Sequence, residues 1–149
     1  MSMTFAPAQT ASPSLSVSDV ASAARGESRA LPRSMPAVLL RLEAVIVAVL
    51  AIAAYARLGG SLGLFLGLFL VPDLAMLGYL AGPGVGARLY NAVHTYLGPA
   101  ALGLASYALD SATGMQFALI WTAHCGIDRT FGYGLKYTTR FRDTHLGRV

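Results

Sequence analysis

The chain has 149 residues, of which 55% are hydrophobic and only 12% are charged, and its mean hydropathy is +0.57. Soluble domains usually carry about a quarter charged residues, so this composition argues against an ordinary cytosolic globule. The length allows one domain, the formal net charge is +4, and the one cysteine, Cys125, excludes both a disulfide framework and a cysteine-rich zinc fold.

The first 35 residues differ in kind from the rest, because they are rich in Ser, Ala and Pro and contain almost no bulky apolar run. Such a segment cannot bury enough surface to offset the entropy lost on ordering. Residues 1–35 are therefore predicted to form a disordered cytoplasmic tail. The first apolar run begins too late and is too long for a secretory signal, whereas a cleaved organelle presequence stays open as an alternative.

Four apolar segments follow this tail. A bilayer core of about 30 Å requires roughly 20 apolar helical residues, and the segments that meet or approach this length cover about residues 37–56, 61–80, 86–109 and 113–128. The last one is short, so its helix is expected to continue beyond residue 128. No segment alternates apolar and polar residues as transmembrane strands do. The sequence therefore predicts an all-α integral membrane four-helix bundle over residues 36–149.

Basic residues near the ends of these segments predict the orientation, because Lys and Arg are enriched in cytoplasmic loops. The only charged residues in the loops on one side of the four spans are Arg57 and Asp110. The basic residues on the other side are Arg25, Arg29, Arg33, Arg88, Arg129, Lys136, Arg140, Arg142 and Arg148. This bias predicts a multi-pass protein of the cell inner membrane with both termini in the cytoplasm.

Two glycine patterns have structural explanations. Gly59, Gly63 and Gly67 lie four residues apart and would permit close backbone approach, which predicts internal helix packing, with a homo-oligomer as the less favoured alternative. The glycines of residues 81–87 imitate a phosphate-binding loop. No strand precedes them and no Lys-Ser or Lys-Thr follows, so this segment is interpreted as a turn between the second and third spans.

Polar side chains of all four spans lie at one depth. Counting from the cytoplasmic end at about 1.5 Å per residue, Glu43 lies about 9 Å deep and Asp73 about 10 Å deep, on the first and second spans. Asn91 and His94 lie about 8 to 12 Å deep on the third span, and His124 and Asp128 lie in the inner third of the fourth. Polar groups inside a membrane face the bundle interior, so this layer is the candidate functional site.

Two imidazoles with carboxylates match the nitrogen and oxygen ligation of zinc, iron or manganese in helix bundles. The layer therefore suggests a divalent metal held by His94, His124, Asp73 and Asp128. In a metal-dependent enzyme acting on a small or lipid-derived substrate, the catalytic carboxylates would be Asp73, Asp128 and Glu43. The residues predicted to orient or neutralise an anionic substrate are Tyr90, Asn91, Arg129 and Lys136.

The same polar layer is also consistent with roles that require no metal. The polar groups can form a hydrogen-bonded network that determines helix register in a membrane scaffold without activity. A metal-free acid and base pair, such as His94 with Asp73, can transfer protons, either in catalysis or in a small proton-coupled transporter.

The last 21 residues, 129–149, contain five Lys or Arg and one Asp, a net charge of +4. Tyr133, Tyr137 and Phe141 repeat every four residues, which suits a helix lying on anionic lipid headgroups. Gly132 and Gly134 weaken that helix, so an irregular lid that brings His145 to the polar layer is equally consistent. Nucleic-acid binding is not expected, because lipid explains so short a basic stretch more simply.

From about Leu39 to Val149 the chain resembles domain-of-unknown-function family 4260, a family of small bacterial membrane proteins. The resemblance rests on LLRLE at 39–43, PDLAMLGYLAGPGVGARLYNAVHTY at 72–96, HCGIDRTFGYGLKY at 124–137 and the closing FRDTHLGRV. It implies a four-helix integral membrane protein without an assigned activity, and supplies no substrate, cofactor or catalytic role. The motifs include Glu43, Asp73, Asn91, His94, His124, Asp128, Arg129 and Lys136, which favours a functional layer over packing alone.

Overall fold

The computed structural model describes residues 34–149, so the predicted tail lies outside the described residues except for its last two, which begin the first helix. The helices are α1 (Met35–Arg57), α2 (Leu62–Phe69), a 3-10 helix (Val71–Ala81), α3 (Pro83–His94), α4 (Leu97–Ala108), α5 (Ala112–Phe131) and a short 3-10 turn (His145–Gly147). Residues 34–149 form no strand beyond one isolated antiparallel bridge between Lys136 and Thr144. The all-α class is confirmed.

Helix α1 begins at a Ser34 cap, whose hydroxyl accepts a hydrogen bond from the Ala37 amide at 3.3 Å. Its leucine, isoleucine and valine side chains point mostly outwards, and its buried face is made of small residues and one tyrosine: Ala37, Ala44, Ala48, Ala51 and Tyr55. This face packs against α5. Small side chains let two helix backbones approach closely, so α1 packs tightly against α5.

The second predicted span is helical but not uniform. It changes from α2 to the 3-10 helix at Leu70, two residues before Pro72. Proline has no amide hydrogen and its ring crowds the carbonyl of the preceding turn, so an α-helix is interrupted there. The Asp73 amide donates to the Leu70 carbonyl at 3.1 Å, the three-residue spacing of a 3-10 helix. This tighter winding sets where the Asp73 side chain lies.

The third predicted span, residues 86–109, is not one helix. It is divided into α3 and α4 at Thr95, whose ψ of 150° is extended. The cause is Pro99, since a proline ring clashes with the carbonyl four residues earlier, which is that of Thr95. The break leaves the Val93 carbonyl without its helical donor. It accepts a hydrogen bond from Trp121 Nε1 at 2.6 Å instead, which ties the end of α3 to α5.

Helix α5 is the central element, and it contacts α1, α2 and α4. It continues past residue 128 as expected, and ends at Gly132, which adopts a left-handed conformation with φ of 93°. The backbone from Gly132 to Thr144 contains no helix. The prediction of a surface helix carrying Tyr133, Tyr137 and Phe141 is therefore wrong, and the alternative of an irregular segment is confirmed.

Two stretches of the described residues are long and apolar enough to cross a membrane, Met35–Arg57 and Leu62–Ala81. Both are mostly exposed: only 22% of the first window and 6% of the second are buried. The glycine pattern of the second stretch does not pack internally, because a Cβ added at Gly63 or Gly67 would meet nothing within 4 Å. The expectation of close helix packing there is wrong, and the homo-oligomer stays a prediction.

Candidate metal centre

Four potential ligands converge from three helices. Asp73 lies in the first turn of the 3-10 helix, and His94 is the last residue of α3 before the break at Thr95. His124 and Asp128 lie one turn apart on α5. One nitrogen or oxygen of each side chain lies within 4.8 Å of the others. The structure thus brings together all four residues that the sequence predicted to hold a metal.

Five of the six distances between these atoms lie between 3.1 and 3.8 Å. The two Nε2 atoms of His94 and His124 are 3.1 Å apart. Asp73 Oδ1 lies 3.4 Å from Nε2 of His94 and 3.6 Å from Nε2 of His124. Asp128 Oδ2 lies 3.5 and 3.8 Å from the same atoms. Ligands of a tetrahedral zinc ion with bonds of about 2.0 to 2.1 Å are separated by about 3.3 Å. The five distances that involve a histidine nitrogen are therefore close to those of a tetrahedral site, and all four atoms lie within 4.8 Å of one another.

The electrostatics of the cluster favour a cation at its centre. Nδ1 of His94 lies 3.0 Å from the Tyr90 carbonyl oxygen, which can only accept, so Nδ1 carries the hydrogen and Nε2 presents a lone pair to the cluster. Carboxylates in their ionised form also offer only acceptors. Two ionised carboxylates with two neutral imidazoles would have a formal charge of −2, which one divalent ion would neutralise.

A layer of aromatic side chains holds the ligands in place. The Tyr90 hydroxyl donates to Asp128 Oδ2 at 3.0 Å, and its ring stacks on His94 with centroids 3.6 Å apart. Phe69 packs edge-on against His124, with centroids 5.1 Å apart. Hydrogen-bonded and packed neighbours of this kind orient metal ligands and raise metal affinity. Tyr90, predicted to bind substrate, is placed by the structure as a partner of two ligands.

The cluster is buried on its histidine side and open on its carboxylate side. His94 is 3% exposed and His124 is 1% exposed, whereas the side chains of Asp73 and Asp128 are 29% and 19% exposed. The cluster is therefore accessible from outside only on the side of its two carboxylates.

Three residues expected in the same layer lie elsewhere. Glu43, Arg129 and His145 line a separate cavity of about 110 Å³, together with Tyr96. The Arg129 guanidinium lies 4.0 Å from the centroid of the Tyr96 ring. The prediction that His145 reaches the cluster as a third imidazole is wrong, since the 3-10 turn that carries it packs over this second cavity. The Glu43 side chain is exposed on α1 and does not reach the cluster.

Comparison with known protein families gives a family but no activity. The model of a domain of unknown function, DUF4260, matches residues 37–149. The chain belongs to the DUF4260 family. No curated protein and no solved structure matches it. The DUF4260 match spans the four clustered side chains, but it assigns no activity to them, so the function must be argued from the site.

Asn91 fastens the C-terminal segment of this DUF4260 protein to α3. Its side-chain amide donates to the Lys136 carbonyl at 2.8 Å, and its Oδ1 accepts from the Lys136 amide at 2.7 Å. Both polar atoms of the Asn91 side chain are thus engaged by the backbone 45 residues away. The predicted substrate-binding role of Asn91 is untested, and the contact observed is with the chain itself.

Replacement of Asn91 by alanine should loosen the C-terminal segment. Each of the two hydrogen bonds contributes about 0.5 to 1.5 kcal/mol, so the open form should become about tenfold more populated or more. Trypsin cleavage after Arg140 and Arg142 should accelerate to the same degree, because cleavage follows the open population. Asn91→Asp keeps the acceptor oxygen and loses the donor, so its cleavage rate should lie between those of the wild type and Asn91→Ala. Unchanged cleavage in Asn91→Ala would show that other contacts hold the segment.

Several contact residues were missed at the sequence level. Phe69 was not singled out, although it packs on His124, and Tyr79 and Phe141 were not linked to Lys136, although both rings lie near its ammonium group. Phe69 and Tyr79 lie within a long apolar run, where aromatic residues are common as membrane-facing bulk. No spacing in the sequence distinguishes them from such residues. His124 and Asp128, by contrast, are identified as a pair by their separation of four.

Proposed function

We propose that this DUF4260 protein is a four-span protein of the cell inner membrane, with both termini cytoplasmic, that binds a divalent metal ion at Asp73, His94, His124 and Asp128. We further propose that it is a metal-dependent enzyme that acts on a small or lipid-derived substrate. The observation that carries this proposal is the convergence of four potential ligand atoms, from three helices, all within 4.8 Å of one another.

The exposed surface supports a membrane location. Large apolar side chains are exposed along the whole helical part, including Leu66 on α2, Leu80 on the 3-10 helix and Leu104 on α4. Soluble monomers rarely expose contiguous apolar patches larger than a few hundred Å². Helix α5 has 20 residues, which at about 1.5 Å per residue gives a length of about 30 Å, enough to cross the bilayer core. Helices α3 and α4 together would form the remaining span. A membrane tolerates the break between them where neighbouring groups form hydrogen bonds with the freed backbone.

Zinc is the metal that the ligand set favours. Imidazole nitrogen and carboxylate oxygen both suit zinc, and an even tetrahedral spacing is its usual geometry. Iron and manganese accept similar ligands, but they prefer higher coordination numbers that would require further donors. The formal charge of the cluster makes any of these divalent ions preferable to a monovalent one.

The chemistry proposed for the site follows from its open side. A divalent metal there would supply Lewis acidity to a carbonyl or phosphoryl oxygen of a substrate if one of the two carboxylates, Asp73 or Asp128, gave up its coordination position to that oxygen. Tyr90 would hold the Asp128 carboxylate in position through its hydroxyl group. Lys136, whose Nζ lies 4.3 Å from the centroid of the Tyr90 ring, would supply positive charge for an anionic substrate group.

The test of this proposal is the metal content of protein purified without a chelator or a metal-binding affinity tag. Mass spectrometry should find about one zinc, iron or manganese ion per chain in the wild type, and none in the His94→Ala, His124→Ala double variant. Circular dichroism of both proteins would show whether the variant keeps its helices. Absence of metal from the folded wild type would overturn the proposal and leave a proton relay or a packing network as the role of the cluster.

A further inference from the structure

The C-terminal segment contains one buried cation, Lys136, that forms no ion pair with the described residues. Lys136 is only 6% exposed. The ion pairs found within residues 34–149 involve His94, His124 and Arg148 as cations, and none involves Lys136. Burial lowers the pKa of its ammonium group, although Asp128 and Asp73 oppose this effect. Burying an unpaired charge is costly, so such a group calls for an explanation.

Aromatic rings around Lys136 partly compensate for the hydration that its ammonium group loses on burial. The Lys136 Nζ lies 3.4 Å from the ring centroid of Phe141, 4.3 Å from that of Tyr90 and 5.5 Å from that of Tyr79. Cation–π contacts of this kind contribute favourably when the cation is desolvated. They leave the net positive charge in place, however, because a ring carries no counter-charge.

Lys136 and a second cation, Arg142, line one cavity of about 410 Å³, along with Tyr133 and Thr144. None of the residues that line this cavity is acidic. The one acidic residue among positions 129–149 is Asp143, and it is engaged elsewhere. Arg148 donates to both of its carboxylate oxygens, at 2.8 and 2.6 Å, and Thr139 donates to one of them.

The pairing of Asp143 with Arg148 leaves this carboxylate engaged outside the cavity. Hydrogen bonds from Arg148 and Thr139 lower the pKa of Asp143 to about 2, so this carboxylate is ionised and already neutralised at physiological pH. Lys136 and Arg142 therefore face the cavity with two positive charges, neither of which forms an ion pair within the described residues, and Asp128 and Asp73 act on Lys136 only from a greater distance. An anion of charge near −2 matches that deficit.

We infer that this cavity binds a phosphate group, either as inorganic phosphate or as the phosphomonoester headgroup of a lipid. Arginine presents a planar fork that suits phosphate oxygens, and lysine adds a point charge. The cavity is larger than a phosphate, so it leaves room for an attached group. The Tyr90 ring lies beside Lys136 and its hydroxyl reaches Asp128, so the cavity adjoins the metal centre. That the phosphate belongs to a substrate rests on the proposed function, whereas binding itself does not.

The experiment compares two arginine variants of the full chain in neutral detergent. Isothermal titration calorimetry would measure the affinity for inorganic phosphate and for dihexanoyl phosphatidate, with dihexanoyl glycerol as the uncharged control. Arg142→Gln should weaken binding of the phosphate group at least about fivefold. Arg140→Gln removes the same charge two residues away, at a side chain that does not line this cavity, and should change the affinity by less than about twofold.

The outcomes separate the two ligand sources and the two proposals. Binding of phosphatidate alone identifies the lipid headgroup as the ligand. Equal binding of phosphatidate and inorganic phosphate identifies free phosphate. Each of these results supports the inference if binding is weakened in Arg142→Gln. Equal losses in both variants, or no binding by the wild type, would overturn it. Metal content measured in the same samples decides the proposed function separately, because phosphate can bind to a metal-free protein, and metal can bind without phosphate.

Discussion

Replacing Asp73 by asparagine should lower the affinity for zinc by more than about 100-fold, or about 2.7 kcal/mol. Asparagine keeps the size of the side chain but removes one of the two negative charges that a divalent ion would neutralise. Loss of an outer partner of a metal ligand alone usually costs 10-fold to 100-fold, so loss of a ligand should cost more. Zinc titration of the apoprotein against a competing chelator measures this change directly.

Two further variants make this result specific. Tyr90→Phe removes the hydrogen bond to Asp128 and should weaken zinc binding about 10-fold to 100-fold, because the carboxylate loses the group that orients it. Glu43→Gln removes an acid at the same predicted depth that lies outside the cluster, and the zinc affinity should stay within about twofold of the wild type. An Asp73→Asn protein that binds zinc as tightly as the wild type would contradict the assignment of the ligands.

Replacing Gly126 by alanine should lower the free energy of unfolding by about 1 kcal/mol, because an overpacking cost of about 1 to 3 kcal/mol exceeds the gain in helix propensity of about 0.8 to 1.0 kcal/mol, and Gly126→Val should lower it by more. A Cβ at Gly126 would lie 3.0 Å from the Ala48 Cβ, 3.1 Å from the Ala44 carbonyl oxygen and 3.1 Å from the Ala48 amide nitrogen. Two of these atoms belong to the α1 backbone, which cannot rotate away as a side chain can. Helices α1 and α5 would have to separate, and the alanine stripe of α1 would lose its contact.

The matched control is Gly67→Ala, on the exposed part of α2. A Cβ there would meet nothing within 4 Å, and alanine favours a helix over glycine by about 0.8 to 1.0 kcal/mol. Thermal unfolding in detergent should therefore show no loss in Gly67→Ala and a lowered midpoint in Gly126→Ala. Equal stability of the Gly126→Ala protein and the wild type would show that α1 does not pack on α5 as closely as described. Because Gly126 lies between His124 and Asp128, its replacement should also weaken zinc binding.

The bounds of several helices could be predicted from the sequence, because hydropathy and proline affect the backbone near their own positions in the chain. The apolar segments at 37–56 and 113–128 correspond to α1 and α5 within a few residues, since an apolar run of that length has few alternatives to a helix. Pro99 lies inside the third apolar segment, where a proline by itself kinks or breaks a helix. The full break at Thr95 also depends on a tertiary partner, because Trp121 satisfies the carbonyl that the break releases.

The sequence by itself determined which side chains could form a site, because a separation of four places His124 above Asp128 on one helix. Only the tertiary structure decided which of the polar residues meet. Glu43 and Asp73 are predicted at the same height, but the alanine face of α1 packs against α5 and leaves Glu43 outside, whereas Asp73, in the 3-10 helix after Pro72, lies beside the histidines. Rotation about a helix axis is set by packing against neighbours, and the sequence of one helix does not contain that information.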